Sequence, residues 1–349
     1  MRKPKKSNKL YLELRQAILS RRLLPGTQLQ RETELAEQYG VSRDTLRSAL
    51  ARLEEEALVR RVRGKGTYIS HGREMPKITF LLPCPASLHH SWFLTDILGG
   101  LMEATHRMDC QVETLALSPT NDPDDIDWSK LLNVNEESRL VVVGFWFSPI
   151  FPFLRKSGCR VVFVHDGTFQ KYAHVEELSH WVSFEKDQHD IAYRLTKALF
   201  RNGCRNPVLF SHYLMEQKQP RVEGVFAAFR ENGLQPSEHS FELPPMNAPL
   251  KAMKKVYTEA RNKKSFDGLL VDDTNLFQYT LLNSTGIKCA CFDHHQHSTG
   301  ILPESACYSE FPLKQMGVDA VTELLKDDFL PFERKYKGNV YDHSGKELT

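Results

Sequence analysis

Apolar strand-like runs alternate with amphipathic helical segments along most of the chain after Pro76, and this alternation constrains the fold more than any other feature. The runs lie at residues 77–82, 111–117, 139–144, 160–164, 181–184, 207–211, 266–271 and 287–292. Strands that are apolar on both faces and are joined by helices form parallel sheets covered on both sides. So many strand–helix units are best housed in two lobes, so the sequence predicts a two-lobed α/β body.

Polar residues follow several of these strands. Asp166 follows residues 160–164, Asp272 and Asp273 follow residues 266–271, and Asp293 follows residues 287–292. Ligands of open α/β sheets bind at the carboxyl ends of the strands. Carboxylates accept hydrogen bonds from hydroxyl groups, which suits a polyol such as a sugar. For Asp273, which precedes Thr274, the alternative is that the carboxylate only caps the next helix.

The first part of the chain is basic, whereas the rest is mildly acidic. Residues 1–73 contain 17 Lys and Arg against 8 Asp and Glu, a net charge of +9, and the remainder carries 29 against 36. This asymmetry predicts that only the first part contacts a polyanion. The alternative, a solvated basic tail, is disfavoured because the charges fall within a structured pattern.

That pattern is typical of a winged helix-turn-helix. Residues 9–20 and 32–39 have helical spacing, and Gly40 stands where a helix C-terminus favours a left-handed residue. Ser42 is a predicted N-cap for a third helix from Arg43 to about Glu55. Two short strands then enclose the sequence GKG at 64–66, a tight tip that can approach phosphates or the minor groove.

The same stretch resembles the GntR-family DNA-binding domain over nearly all of residues 8–70. The resemblance rests on the runs PGTQL at 25–29, ELAE at 34–37, GVSRDTLR at 40–47 and GKGT at 64–67. The family usually has Pro-Ser-Glu-Arg before the second helix, where this chain has QRET at 30–33. Either Arg31 replaces the missing phosphate contact, or the operator differs. The predicted DNA-binding residues are Arg31, Ser42, Arg43, Thr45, Arg47, Arg63, Gly64 and Lys65.

The body resembles the periplasmic-binding-protein-like effector domain of LacI/GalR regulators. The matching runs are RVEGVFAAF at 221–229, FDGLL at 266–270 and CFD at 291–293. Departures from the pattern are Asp272 in place of Asn, Glu185 in place of Asp and His189 in place of a common glycine, and they leave the ligand less defined. The resemblance implies that the effector contacts are Trp92, Phe93, His165, Arg221, Asp273 and Asp293.

A GntR head on such a body is the arrangement of arabinose-repressor-type regulators. The predicted domains are a winged helix at 1–70, a linker at 71–76 and an effector-binding and dimerisation domain at 77–349. The resemblance implies a homodimeric repressor on double-stranded operator DNA that responds allosterically to a sugar, with a pentose as the first candidate. The alternatives are a non-sugar effector, a ligand-binding protein with an N-terminal protein-interaction module, or an enzyme with a regulatory head. The effector, the operator and the direction of the response stay open.

Catalytic and cofactor motifs are missing from the sequence. It has no P-loop, no Gly-x-Ser-x-Gly elbow and no paired glycine fingerprint, so we expect neither an enzyme nor a bound cofactor. Cys289 and Cys291 with the nearby histidines lack the spacing of structural zinc sites, so no metal is expected. Seven scattered cysteines predict reduced thiols. No apolar run reaches the roughly 18 residues of a membrane span. We therefore expect a soluble cytoplasmic protein that is nucleoid-associated when bound to its operator.

Overall fold

The computed structural model describes residues 6–70, 75–83, 92–167, 174–214, 219–245, 248–272, 276–277, 279–280, 286–292, 304 and 306–348. The chain divides into two compact units, Met1–Pro76, here called the head, and Lys77–Thr349, here called the body. Within the described ranges, no helix is both long enough and apolar enough to cross a membrane.

The described part of the head, residues 6–70 and 75–76, contains three helices and a hairpin. The helices are α1 (Lys6–Leu19), α2 (Glu32–Gln38) and α3 (Arg43–Glu55), and the antiparallel strands are β1 (Val59–Val62) and β2 (Gly66–Ile69). The buried face of α3 packs with α1, α2 and the hairpin in one core and consists of Leu46, Ala49, Leu50 and Leu53. This is the predicted winged helix, and it forms because the apolar residues of α3 recur every three or four positions.

The body alternates strands and helices, as predicted. Its strands are β3 (Lys77–Pro83), β4 (Gln111–Leu117), β5 (Arg139–Val143), β6 (Arg160–His165), β7 (Val182–Lys186), β8 (Pro207–Ser211), β9 (Ser240–Glu242), β10 (Gly268–Val271), β11 (Lys288–Cys291), β12 (Ala306–Glu310), β13 (Phe332–Tyr336) and β14 (Asn339–Asp342). Its helices are α4 (Trp92–Thr105), α5 (Phe151–Ser157), α6 (Gln188–Arg201), α7 (Pro220–Glu231), α8 (Leu250–Lys263) and α9 (Leu313–Leu324).

These strands form two six-stranded sheets, one for each lobe. The first lobe has the order β13-β7-β6-β5-β3-β4, and all of its neighbouring strands are parallel. The second lobe has the order β14-β12-β11-β10-β8-β9, in which only β14 is antiparallel to its neighbour. The predicted two-lobed α/β body is therefore confirmed.

Strand β6 shows why such a sheet needs cover on both faces. Val161 and Phe163 belong to the apolar cluster on one face, whereas Val162 and Val164 belong to the cluster on the other, and all four are buried. Successive side chains of a strand point to opposite faces, so an uninterrupted apolar strand requires helices on both sides.

The described chain passes between the lobes three times, from β7 to α6, from β12 to α9 and from β13 to β14. The crossovers contact each other: the Asp187 amide donates to the Tyr336 carbonyl at 2.9 Å, and Arg194 Nη1 donates to the Gly338 carbonyl at 2.8 Å. A Cβ atom on Gly338 would lie 2.8 Å from the Glu310 carbonyl oxygen. The three crossovers therefore form one close-packed connection.

Candidate functional site

The N-terminus of α3 carries two of the predicted DNA-binding hydroxyl residues. Ser42 is the N-cap, because its Oγ accepts a hydrogen bond from the Thr45 amide at 3.2 Å. The two hydroxyl groups also lie 2.8 Å apart. Both side chains therefore help to begin the helix, and Ser42 remains exposed to solvent while doing so.

Two arginines project from the first turns of α3. Arg47 is exposed, and its Nε donates to Glu32 on α2 at 2.8 Å, while its carbonyl accepts from Arg61 Nη2 at 3.2 Å. Arg43 is also exposed, and no hydrogen bond or ion pair of its guanidinium occurs within the described part of the chain. Arg47 is thus anchored by its neighbours, whereas Arg43 is held only by its own helix.

The other predicted residues lie at the start of α2 and at the tip of the hairpin. The hairpin of β1 and β2 is here called the wing. Arg31 is exposed at the N-cap position of α2, where its side chain makes no capping hydrogen bond. Arg63, Gly64 and Lys65 form the exposed turn between β1 and β2. Gly64 has φ +74°, a left-handed conformation that favours glycine. All of these residues are accessible to a partner of the head.

In the body, charged side chains meet where strands β6 and β7 end. Lys186 Nζ lies 2.6 Å from Asp166 Oδ1. The same ammonium group lies 5.7 Å from the ring centre of Phe93 and 5.6 Å from that of Phe311. The Lys186 side chain is only 12% exposed, whereas that of Asp166 is 52% exposed. The carboxylate therefore stays accessible to a ligand, whereas the cation lies between aromatic rings.

Gln188 and Arg221 extend this arrangement across to the second lobe. Arg221 Nε and Nη2 both donate to Gln188 Oε1, at 3.0 and 2.8 Å. Gln188 is buried and in turn donates through Nε2 to Asp166 Oδ1 at 3.4 Å. The Arg221 guanidinium lies 4.9 Å from the ring centre of Phe292, at the end of β11. One polar network, here called the cleft network, therefore joins Asp166 and Lys186 of the first lobe to Arg221 of the second.

Two carboxyl groups near this network have opposite pKa shifts. Desolvation within the cleft opposes the ionisation of Asp166, although half of its side chain is exposed. The Lys186 charge and hydrogen bond outweigh it, so the pKa of Asp166 is lowered. Asp272 follows β10 and accepts hydrogen bonds from Ser211 Oγ at 2.5 Å and from the His212 amide at 3.3 Å. Burial dominates there and raises the pKa of Asp272 despite those bonds.

His165 occupies the end of β6, but protein groups engage both of its ring nitrogens. Nδ1 accepts from the Gly167 amide at 2.9 Å, so Nε2 carries the proton and donates to Ser183 Oγ at 2.7 Å. The ring stacks on Phe163 and is 3% exposed, and burial lowers its pKa to about 4. These bonds give the ring a structural role, and its predicted contact with an effector stays a prediction.

The remaining predicted effector residues fall in different places. Phe93 is partly buried, with its ring centre 5.8 Å from that of Trp146. Trp92 begins α4, but its side chain lies outside the described part of the structure. Asp273 and Asp293 lie entirely outside the described residues. Sequence reasoning missed Lys186, Gln188, Trp146 and Phe292. Lys186 would have been found by applying the strand-end rule to β7, which runs two residues beyond the predicted 181–184.

The comparisons with known proteins separate the head from the body. The family model described as bacterial regulatory proteins of the gntR family matches residues 6–69. Residues 6–69 form a GntR-type helix-turn-helix domain. This GntR domain is similar to the HTH-type transcriptional repressor NagR of Bacillus subtilis, with 43% identity over 58 residues. It is also similar to the arabinose metabolism transcriptional repressor of Geobacillus stearothermophilus, with 39% identity over 71 residues.

These sequence matches cover only a small part of each protein. They span 17% and 19% of this chain, and 24% and 19% of the two relatives. The chain is also similar to a solved structure described as the transcriptional regulator CelR–cellobiose complex. The match covers 91% of this chain and all of that chain, with a TM-score of 0.58 and 12% identity.

A LacI family transcriptional regulator CCPA from Weissella paramesenteroides with bound sucrose covers 76% of this chain and 98% of its own. Its TM-score is 0.59 at 13% identity. At these identities the two structures show the fold alone, and that fold includes the two-lobed α/β body of this chain.

Proposed function

We propose that the protein is a sequence-specific transcriptional repressor whose GntR domain binds operator DNA and whose body binds a small sugar between its lobes. Binding of the sugar lowers the affinity for the operator. The protein acts as a homodimer that places two heads on the half-sites of a pseudo-palindromic operator, in the cytoplasm and on the nucleoid. The proposal assigns it no catalytic activity.

The family match over residues 6–69 carries the DNA-binding part of this proposal. The geometry of α3 supports it, because Arg43 and Arg47 are exposed near the N-terminus of the helix, where recognition helices contact base edges. The exposed Arg63 and Lys65 of the wing supply positive charge for phosphate contacts.

The cleft network supports the effector part. It combines hydrogen-bonding groups with aromatic rings, the combination that recognises a sugar's hydroxyl groups and its C–H faces. One solved structure with the same fold is a complex with cellobiose, and another has bound sucrose. Because Gln188 connects Asp166 of one lobe with Arg221 of the other, a ligand that engages any of them changes how the lobes are held together.

The experiment is fluorescence anisotropy of a labelled duplex from the region upstream of the protein's own gene, titrated with the full-length protein and then with a sugar panel that includes arabinose. We expect tight binding that weakens steeply with salt, and release of the complex by one sugar. A complex that no sugar affects would contradict the effector part. Absence of any specific complex would contradict the DNA-binding part and favour a protein-interaction head.

A further inference from the structure

Part of the segment between α1 and α2 runs alongside β2 and forms one isolated antiparallel bridge with it. The Leu29 amide donates to the Thr67 carbonyl and the Ile69 amide donates to the Thr27 carbonyl, both at 2.8 Å. Between these bonds, Gln28 forms a bridge pair with Tyr68 of β2. The backbone of residues 27–29 is therefore fixed against the wing, and the Gln28 side chain extends toward its tip.

Two side-chain donors meet at one carbonyl of that tip. Gln28 Nε2 donates to the Lys65 carbonyl oxygen at 2.6 Å, and the Tyr68 hydroxyl donates to the same oxygen at 3.3 Å. The Lys65 amide donates to the Val62 carbonyl at 2.9 Å and closes the turn. The backbone amide and carbonyl of Lys65 are thus both hydrogen-bonded. One donor to the carbonyl, Gln28, lies outside the hairpin.

Gly66 fits the Gln28 amide closely. Its φ is +115°, and a Cβ atom added there would lie 2.8 Å from Gln28 Nε2. Real Cβ atoms do not approach other heavy atoms this closely, so a side chain at residue 66 would displace the Gln28 amide from its present position. The Gln28 side chain therefore clamps the peptide between Lys65 and Gly66. Gln28 is not among the predicted DNA-binding residues.

We infer that Gln28 is a positioning residue for DNA binding, which clamps the Lys65–Gly66 peptide and so holds Arg63 and Lys65 in the conformation that contacts the duplex. This inference rests on the proposed function. A wing that is already ordered loses less conformational entropy when it binds than a mobile wing does. Gln28 itself need not touch the DNA.

The test compares the full-length wild type with Gln28→Met, which keeps the length of the side chain but lacks the amide. We expect operator affinity to fall by about 5- to 10-fold, the scale of one lost hydrogen bond together with loop ordering. Tyr68→Phe should weaken binding in the same direction by less. Wild-type-like affinity of Gln28→Met would overturn the inference.

A double-mutant cycle separates positioning from simple stabilisation of the head. Lys65→Ala should cost less affinity in the Gln28→Met background than in the wild type, because the wing is already displaced. Arg43→Ala, on α3, should cost the same in both backgrounds. Equal and additive effects of Lys65→Ala in both backgrounds would show that Gln28 does not act through the wing.

Amide hydrogen exchange without DNA distinguishes failure of the clamp from failure of the proposed function. Faster exchange confined to residues 63–66 in Gln28→Met supports the clamp whether or not a duplex is bound. A wild type that binds no duplex overturns both the proposed function and the DNA role of Gln28. Unchanged exchange at residues 63–66 in Gln28→Met overturns the clamp alone.

Discussion

In the GntR domain, Arg43 and Arg63 project into solvent from a helix and a turn, whereas in the body Lys186 and Arg221 are tied to neighbouring side chains within the cleft network. In the first arrangement, each residue can contact a partner independently of the others. The second makes each residue depend on the others, so a change at one position alters the hydrogen bonds of the next.

This difference has a consequence for mutagenesis. Substitutions of exposed residues on different elements of the GntR domain, such as Arg43 on α3 and Arg63 on the wing, should have separate, additive effects on DNA affinity. Substitutions in the cleft network should be coupled and should affect the response to the sugar more than the affinity for DNA.

Acid should destabilise the body through His165. The pKa of this buried imidazole is about 4 in the folded protein, against about 6.5 in an unfolded chain. Between these values the unfolded state binds more protons, so the free energy of unfolding falls as the pH falls, by roughly 3 kcal/mol across the window. Asp272, whose raised pKa favours the folded state on acidification, opposes this trend at low pH.

Tryptophan fluorescence during urea unfolding measures this effect in the body alone, because all four tryptophans follow residue 77. His165→Asn, which does not titrate, should flatten the pH dependence between pH 6.5 and 4. An identical slope in the variant and the wild type would assign the acid sensitivity to other groups.

Arg221→Ala should weaken sugar binding by about 10- to 100-fold, because hydrogen bonds of a charged group contribute about 1.5–3 kcal/mol. Its operator affinity in the absence of sugar should match the wild type. Isothermal titration calorimetry with the sugar that releases the operator measures the change. Arg230→Ala, an exposed arginine of the same helix, is the matched control and should bind the sugar normally. Loss of DNA binding by Arg221→Ala would contradict the separation of roles.

Arg43→Ala should weaken operator binding by about tenfold, or about 1.4 kcal/mol, and should reduce base preference if its contact is to guanine. Sugar binding by the body should not change. Anisotropy on the operator and on a scrambled duplex provides the measurement. Lys9→Ala removes one exposed positive charge from α1 and is the control for net charge. An equal loss of affinity in both variants would leave α3 without a specific role.

Lys186→Met and Asp166→Asn should be coupled in sugar binding by about 1 kcal/mol or less, since Asp166 is half-exposed and solvent screens the pair. A double-mutant cycle by calorimetry gives the coupling. Additive effects would show that the two residues act independently, as Arg43 and Arg63 of the GntR domain are expected to.

Local patterns predicted much of the head. The spacing of apolar residues gave α3 as Arg43–Glu55, and the structure shows both the Ser42 cap and the left-handed Gly40, with φ +59°. Each of these features depends on residues within a few positions of each other. The clamp of Lys65 by Gln28 was not predicted, because the two residues are far apart in the chain and no periodicity connects them.

The sequence predicted the fold class of the body but not the connections between its two lobes. Apolar runs indicated most of its parallel strands, but β9, β12, β13 and β14 were missed, and β7 was ended before Lys186. Strand β7 extends to Lys186 because β13, a strand from near the C-terminus, pairs along its whole length. The resemblance identified Arg221, whereas its partner Gln188 follows from a crossover between lobes that no local pattern shows.

If the GntR domain and the cleft are two coupled binding sites, the coupling between them is reciprocal. If the sugar lowers operator affinity by a given factor, operator DNA must lower sugar affinity by the same factor. We would measure the sugar Kd by calorimetry with and without saturating operator duplex. We expect weaker sugar binding in the presence of operator, by the factor found in the anisotropy titration, in the range of about 5- to 150-fold. The same sugar Kd with and without operator would contradict it.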